Sequence, residues 1–129
     1  MSTVSVLIAV VDNEESVRRA LGRLIRSAGF SIETFSSGAD FLGSIHQRRP
    51  DCVVLDIRMP HLDGFEIQQA LTKANDPMPV IVVTGDDSAE ARTRAFQCGA
   101  KAYLRKPVDE AILLAAIRNA LSPSPGLVT

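Results

Sequence analysis

Short apolar runs that break off at one polar residue constrain the fold of this chain more than any other feature. Val4 to Val11 ends at Asp12-Asn13-Glu14-Glu15, Cys52 to Leu55 at Asp56, Val80 to Val83 at Thr84, and Ala102 to Leu104 just before Lys106-Pro107. Nearly every position of Val80 to Val83 is β-branched, as a central strand buried on both faces requires. In an open parallel sheet the ligand crevice forms outside the carboxyl ends of the strands, so residues far apart in sequence meet there. At such a point an acidic cluster can hold a hard cation, Asp56 can act as nucleophile or acceptor, and Thr84 and Lys106 can bind a charged oxyanion.

Helix-like segments separate the runs, and strand and helix alternate five times, the pattern of a doubly wound α/β domain. Val17, Ala20, Leu21, Leu24, Ile25 and Ala28 recur at helical spacing and predict a helix over roughly Glu14 to Ala28, ended by Gly29. Ser31 to Phe35 reads as a short strand, followed by a helix from about Ser37 to Gln47 with Leu42 and Ile45 inward. A third helix, about Gly64 to Ala74, places Ile67, Ala70, Leu71 and Ala74 on one face and closes at Asn75-Asp76-Pro77. The fourth ends at Cys98-Gly99, where glycine suits a left-handed cap. The last buries Leu113, Ala116, Ile117, Ala120 and Leu121, and Ser122-Pro123-Ser124-Pro125-Gly126 is linker-like.

A length of 129 residues accommodates one domain with one core. Fourteen basic residues against 15 acidic ones, with no basic block, leave direct nucleic-acid binding by this segment unsupported. The first apolar run has only eight residues, and the first basic residue, Arg18, follows it, so it reads as neither signal peptide nor membrane span. Cys52 and Cys98 have no partner motif and read as small buried hydrophobes, which points to a reducing, cytoplasmic location.

Val10-Val11-Asp12-Asn13-Glu14-Glu15, Val54-Leu55-Asp56-Ile57-Arg58-Met59-Pro60 with Asp63-Gly64, Val82-Val83-Thr84-Gly85, Gly99-Ala100 and Tyr103-Leu104-Arg105-Lys106-Pro107 together resemble the receiver domain of bacterial two-component response regulators, within the CheY-like superfamily. The similarity runs from Val4 to Leu121, which assigns 1–121 to the receiver and 122–129 to a tail or linker. The Thr-Gly-Asp segment and the Arg-Met-Pro loop most resemble receivers of the FixJ type. The resemblance implies a five-stranded flavodoxin-like parallel sheet of order 2-1-3-4-5 with helices on both faces. It also implies magnesium-dependent transfer of a phosphoryl group from a sensor histidine kinase or phosphotransfer protein to Asp56, followed by a conformational output. By the same resemblance the backbone carbonyl of Arg58 joins the metal shell, the Thr84 hydroxyl donates to a phosphoryl oxygen, and the Lys106-Pro107 bond is cis. Tyr103 is then an aromatic switch that turns inward, reshaping the face of the fourth helix and fifth strand, through which related receivers form homodimers or meet an effector.

The chemistry is consistent with those assignments on its own terms. A carboxylate attacking a phosphoryl group meets anionic repulsion, which a divalent cation and a fixed ammonium relieve. Asp12, Asp56 and Lys106 supply the charges, and magnesium needs only one or two carboxylates plus a carbonyl because it keeps several waters. Taken alone, Asp-Asn-Glu-Glu after a strand is equally a helix N-terminus, where acids favour the macrodipole. Asn13 departs from the family, which has a metal-binding carboxylate there. Losing one charge contact lowers affinity by on the order of tenfold, about 1.4 kcal/mol. Glu14 follows, but its backbone position directs it differently. The alternative is therefore a pseudo-receiver, an interaction module that works without phosphate. Other chemistries on this fold fit less well: the first loop is acidic and lacks the Ser, Thr or Gly cradle of a flavodoxin-like cofactor site, and Arg58 stands where a dehalogenase-type phosphatase has its second aspartate.

Overall fold

The computed structural model describes residues 5–122. Five strands, β1 (Leu7–Val11), β2 (Ser31–Phe35), β3 (Cys52–Leu55), β4 (Val80–Thr84) and β5 (Ala102–Arg105), alternate with five helices, α1 (Glu15–Ser27), α2 (Gly38–Ser44), α3 (Gly64–Lys73), α4 (Ala89–Gln97) and α5 (Glu110–Leu121). All strand pairs are parallel, in the order β2-β1-β3-β4-β5. The beginning of the first predicted run, at Val4, and the tail after Ser122 lie outside the described residues.

Successive strand residues point to opposite faces, and the core divides accordingly. Ala9, Val11, Val53, Leu55, Val80 and Val82 meet Phe41, Phe65, Ile67, Leu71, Ala91 and Ala95 from α2, α3 and α4. Ile8, Val10, Cys52, Val54, Ile81 and Val83 meet Leu21, Ile25, Leu113 and Ile117 from α1 and α5. Burial of β1, β3 and β4 on both faces is what a parallel sheet between two helical layers produces.

Several helix details differ from the sequence reading. The second helix ends at Ser44, three residues early, because the Ser44 hydroxyl bonds back to the Phe41 carbonyl and competes with the helical acceptor pattern. Phe41 is its fully buried residue, whereas Leu42 and Ile45 are half-buried. Ala20 and Ala74 are exposed, the latter as the C-cap of α3. Cys98 is only half-buried at the C-cap of α4, while Cys52 is fully buried and desolvation, with Asp51 nearby, pushes its thiol up to about 12, so it is inert near neutrality. Gly29 and Gly99 close α1 and α4 at φ 98° and 100°, a region glycine enters without steric cost. Among the described residues no helix is long and apolar enough to cross a membrane.

Candidate functional site

The strand order changes direction between β1 and β3, and ligands bind at that switch point in open α/β sheets. Asp12 directly follows β1 and Asp56 directly follows β3. Hydrogen bonds of the sheet continue one step past the strands and fix both: the Asp12 N–H donates to the Phe35 carbonyl at 3.1 Å, and the Asp56 N–H to the Val11 carbonyl at 3.1 Å. The Lys106 N–H donates to the Thr84 carbonyl at 2.9 Å, so the end of β5 is held against the end of β4 in the same way. The Lys106-Pro107 peptide is cis.

This scaffold brings three of the candidate residues into direct contact. Lys106 Nζ donates to Asp12 Oδ2 and Asp56 Oδ2, both at 2.8 Å. The two aspartates are only 2% and 5% exposed, so the ammonium is the cation that allows two carboxylates to be buried side by side. Burial alone would favour the neutral amine, but the hydrogen bonds and charges of Asp12 and Asp56 prevail and hold Lys106 above its ordinary range. Each aspartate has a second tie: Asp12 Oδ1 accepts from the Glu14 N–H at 2.9 Å, and Asp56 Oδ1 from the Arg58 N–H at 3.0 Å.

Glu14 takes a larger part in the site than its place in the sequence implies. It occupies the N-cap position of α1 with extended backbone and makes no side-chain capping bond. Its carboxylate is thus free to turn into the crevice, where Oε1 lies 3.5 Å from Lys106 Nζ. Oxygen atoms of Asp12, Glu14 and Asp56 lie within 4.8 Å of one another, whereas the Asn13 side chain is exposed. Three hard oxygen donors of this kind suit Mg2+.

Thr84 is fully buried at the end of β4, and its Oγ1 accepts from the Asp86 N–H at 3.3 Å. Tyr103 is turned inward, 8% exposed, with its hydroxyl donating to the Asp86 carbonyl at 2.6 Å. Burial raises its hydroxyl above the ordinary range, and the Asp86 charge adds to this. Both histidines are exposed, and His61 has a left-handed φ of 68° in the loop after β3.

Gly64 begins α3 directly beneath the Asp56 loop. A Cβ there would meet Leu55 Cδ1 at 2.6 Å, the Asp56 carbonyl oxygen at 2.7 Å and Ile57 Cα at 2.8 Å. Two of those three neighbours are backbone and cannot swing away. Gly64→Ala is therefore expected to lower stability by about 1–3 kcal/mol through overpacking, read as a lower urea midpoint. An unchanged midpoint would mean that the loop carrying Asp56 yields freely.

Residues 8–118 match the response regulator receiver domain family. The chain belongs to that family. TodT, a response regulator protein of Pseudomonas putida, is 35% identical over 125 residues, covering 97% of this chain and 55% of the relative. The response regulator MprA of Mycobacterium sp. strain KMS is 40% identical over 124 residues, covering 94% and 54%. This receiver thus spans about half the length of the curated relatives it matches. Among solved structures, the response regulator StyR superposes with a TM-score of 0.84 at 39% identity, covering 92% of this chain and 60% of that one. FixJ-N gives 0.85 at 28% identity, covering 92% and 95%. The sheet order and helix count of this receiver match the CheY-like flavodoxin fold, as in CheY4 of Vibrio cholerae.

Proposed function

We propose that this receiver accepts a phosphoryl group on Asp56 from a sensor histidine kinase or phosphotransfer protein, with Mg2+ as cofactor, and signals by repacking the α4/β5 face. The observation that carries the proposal is the single ammonium of Lys106 bridging two buried carboxylates at 2.8 Å. A surface lysine has no reason to be held there. In the reaction a carboxylate oxygen of Asp56 bonds to phosphorus while the N–P bond of phosphohistidine breaks, and the imidazole nitrogen keeps the electron pair and takes up a proton. Lys106 holds positive charge beside the transferring group throughout. Thr84 accepts from a backbone N–H, leaving its own hydroxyl proton for a phosphoryl oxygen.

Asp12, Glu14 and Asp56, with the Arg58 carbonyl, would hold the Mg2+, which neutralises charge on the phosphoryl oxygens when bound. Asn13 contributes at most a neutral oxygen, and Glu14 makes up the missing charge. Glu14→Gln is then expected to weaken Mg2+ binding on the order of tenfold, and Asn13→Asp to tighten it. Calorimetric titration of the unphosphorylated protein measures both. Equal affinity for wild type and Glu14→Gln would remove Glu14 from the metal shell.

The output face follows from how lightly α4 is held. Its buried side chains are only Ala91 and Ala95, joined by the Gln68 amide donating to the Ala95 carbonyl at 3.0 Å. Arg92 lies over both the Tyr103 ring and the 40%-exposed Phe96, at 5.8 and 5.2 Å from their centroids. Repacking at Tyr103 would therefore reach the surface through Arg92 and Phe96, where a homodimer or effector would meet it. Residues 1–121 act as the receiver in this reading, 122–129 as a tail, and the setting is the cytoplasm, without direct nucleic-acid contact. Incubation with acetyl phosphate and Mg2+ should add one acid-labile phosphoryl group by intact mass. Absence of any adduct would favour a phosphate-independent pseudo-receiver.

A further inference from the structure

One flank of α1, with Val17, Ala20 and Leu21, turns toward Pro107 and Val108 beside the crevice. The opposite flank forms a groove lined by Arg18, Arg19, Gly22, Arg23, Arg26 and, from β2, Thr34. The acid on its rim, Glu15, already pairs with Arg19 at 2.8 Å, and Arg18 Nη1 donates to the Asp12 carbonyl at 2.8 Å. Arg23 and Arg26 are exposed, and among the described residues neither enters an ion pair. Arg26 suits the carbonyl end of the helix. Arg23 has no such reason to be there, so in a chain of net charge −1 this flank is a concentrated positive face.

The groove also borders open backbone. β2 is an edge strand, paired only with β1. The Ser31 N–H donates to the Val6 carbonyl and the Phe35 carbonyl accepts from the Asp12 N–H, both toward the sheet. By the alternation of a strand, the N–H and C=O groups of Ile32 and Thr34 then point outward. The side chains of the same two residues lie under α1, since a Cβ on Gly22 would stand 3.7 Å from Thr34 Cγ2 and 3.8 Å from Ile32 Cγ1. With no side chain at Gly22, the arginine face and the free strand edge share one opening.

We infer that this groove docks an extended acidic segment of a partner protein, which adds as a sixth strand on β2 and sets its carboxylates against Arg19, Arg23 and Arg26. Neither Asp56 nor a metal takes part, so the surface works independently of phosphotransfer. Along the helix axis Arg19 and Arg23 are about 6 Å apart and Arg23 and Arg26 about 4.5 Å. Side chains on one face of a strand recur about every 6.6 Å, a mismatch that long arginine side chains absorb. The guanidinium fork grips carboxylates in pairs of hydrogen bonds. Releasing Arg19 from Glu15 costs little, because both side chains are mostly exposed.

Other occupants satisfy only half of the groove. A nucleic acid or a small anion answers the arginines but leaves the outward backbone groups of Ile32 and Thr34 to water, whereas an added strand answers both. A second copy of this chain could pair β2 with β2 about a twofold axis. That arrangement lays the two α1 helices on the same side of the joined sheet and sets arginine row beside arginine row, a repulsion that rejects it.

The test titrates the full chain into a fluorescently labelled peptide of alternating Glu and Thr and follows anisotropy. Arg23→Glu with Arg26→Glu, two exposed positions that leave the urea midpoint unchanged, should weaken binding by more than tenfold. Thr34→Pro removes an outward N–H without touching the ladder to β1, a change that an edge strand tolerates, and should weaken binding about threefold to tenfold. A copy of the peptide methylated on every backbone nitrogen keeps its charge but loses its donors, and should not bind. If Thr34→Pro does not fold, the methylated peptide decides the matter with the native protein. Equal binding of the methylated and unmethylated peptides would reduce the groove to a patch of charge and overturn strand addition. Tighter binding of an oligothymidylate than of the peptide would make it a nucleic-acid surface and overturn the inference, as would no peptide binding at all.

Discussion

Asp56→Asn is expected to abolish the phosphoryl adduct entirely while leaving the domain folded. Asparagine matches aspartate in shape, and its side-chain oxygen still accepts from the Arg58 N–H that holds this turn at 3.0 Å in the native protein. What it lacks is the nucleophile, since a neutral amide oxygen does not form the mixed anhydride. The substitution also removes one of the two buried carboxylates that share Lys106, so the remaining pair of Lys106 with Asp12 is charge-balanced and no new uncompensated charge is buried. The denaturant midpoint should therefore move little, which separates a chemical effect from a folding defect. Intact-mass analysis after incubation with acetyl phosphate and Mg2+ makes the comparison. An undiminished adduct in Asp56→Asn would place the phosphoryl group elsewhere in the chain and remove the basis for the switch.

What a reader of the sequence could see here depended on whether the signal was periodic. The apolar runs located the carboxyl ends of β1, β3, β4 and β5, and the parallel order then required Asp12, Asp56 and Lys106 to converge, which they do. Features set by local geometry were harder. The seven-residue α2 has two turns, too few to fix its phase, so spacing points to Leu42 and Ile45 and misses the buried Phe41. Gln68 carries no sequence signal of burial, since amides ordinarily face solvent, yet it is 1% exposed and bonded across to α4. The part of Glu14 depended on its cap leaving the carboxylate uncommitted, which no spacing reveals. Asp86 sits two residues after Thr84 as Arg58 sits two after Asp56. That symmetry hints that the two loops could meet, but only the loop geometry places the charges in contact.

Removing the ammonium at the centre of the site should weaken stability and phosphotransfer while strengthening metal binding. Lys106→Met keeps the aliphatic stem but leaves Asp12, Asp56 and the nearby Glu14 without their shared cation. In the absence of divalent ions the variant should be less stable at neutral pH, because buried carboxylates that lose their partner retain their desolvation penalty. The sign with pH follows from the raised value of Lys106 in the folded protein. The native ammonium stabilises fully below its unfolded value of about 10.4 and ceases to do so as pH rises through the higher folded value. The gap between wild type and Lys106→Met should accordingly close only at strongly alkaline pH. Phosphorylation by acetyl phosphate should slow by on the order of a hundredfold to a thousandfold, as when one fixed charge-stabilising donor is removed from an active site. Yet Mg2+ should bind the variant more tightly than wild type, since on the proposed reading the ammonium and the metal would draw on the same carboxylates and repel each other. Thermal unfolding with and without saturating Mg2+ reads this directly: the midpoint of Lys106→Met should rise more than that of wild type. A smaller rise would mean that Lys106 and the metal occupy separate parts of the crevice, and that the ammonium steadies the acids without sharing their work.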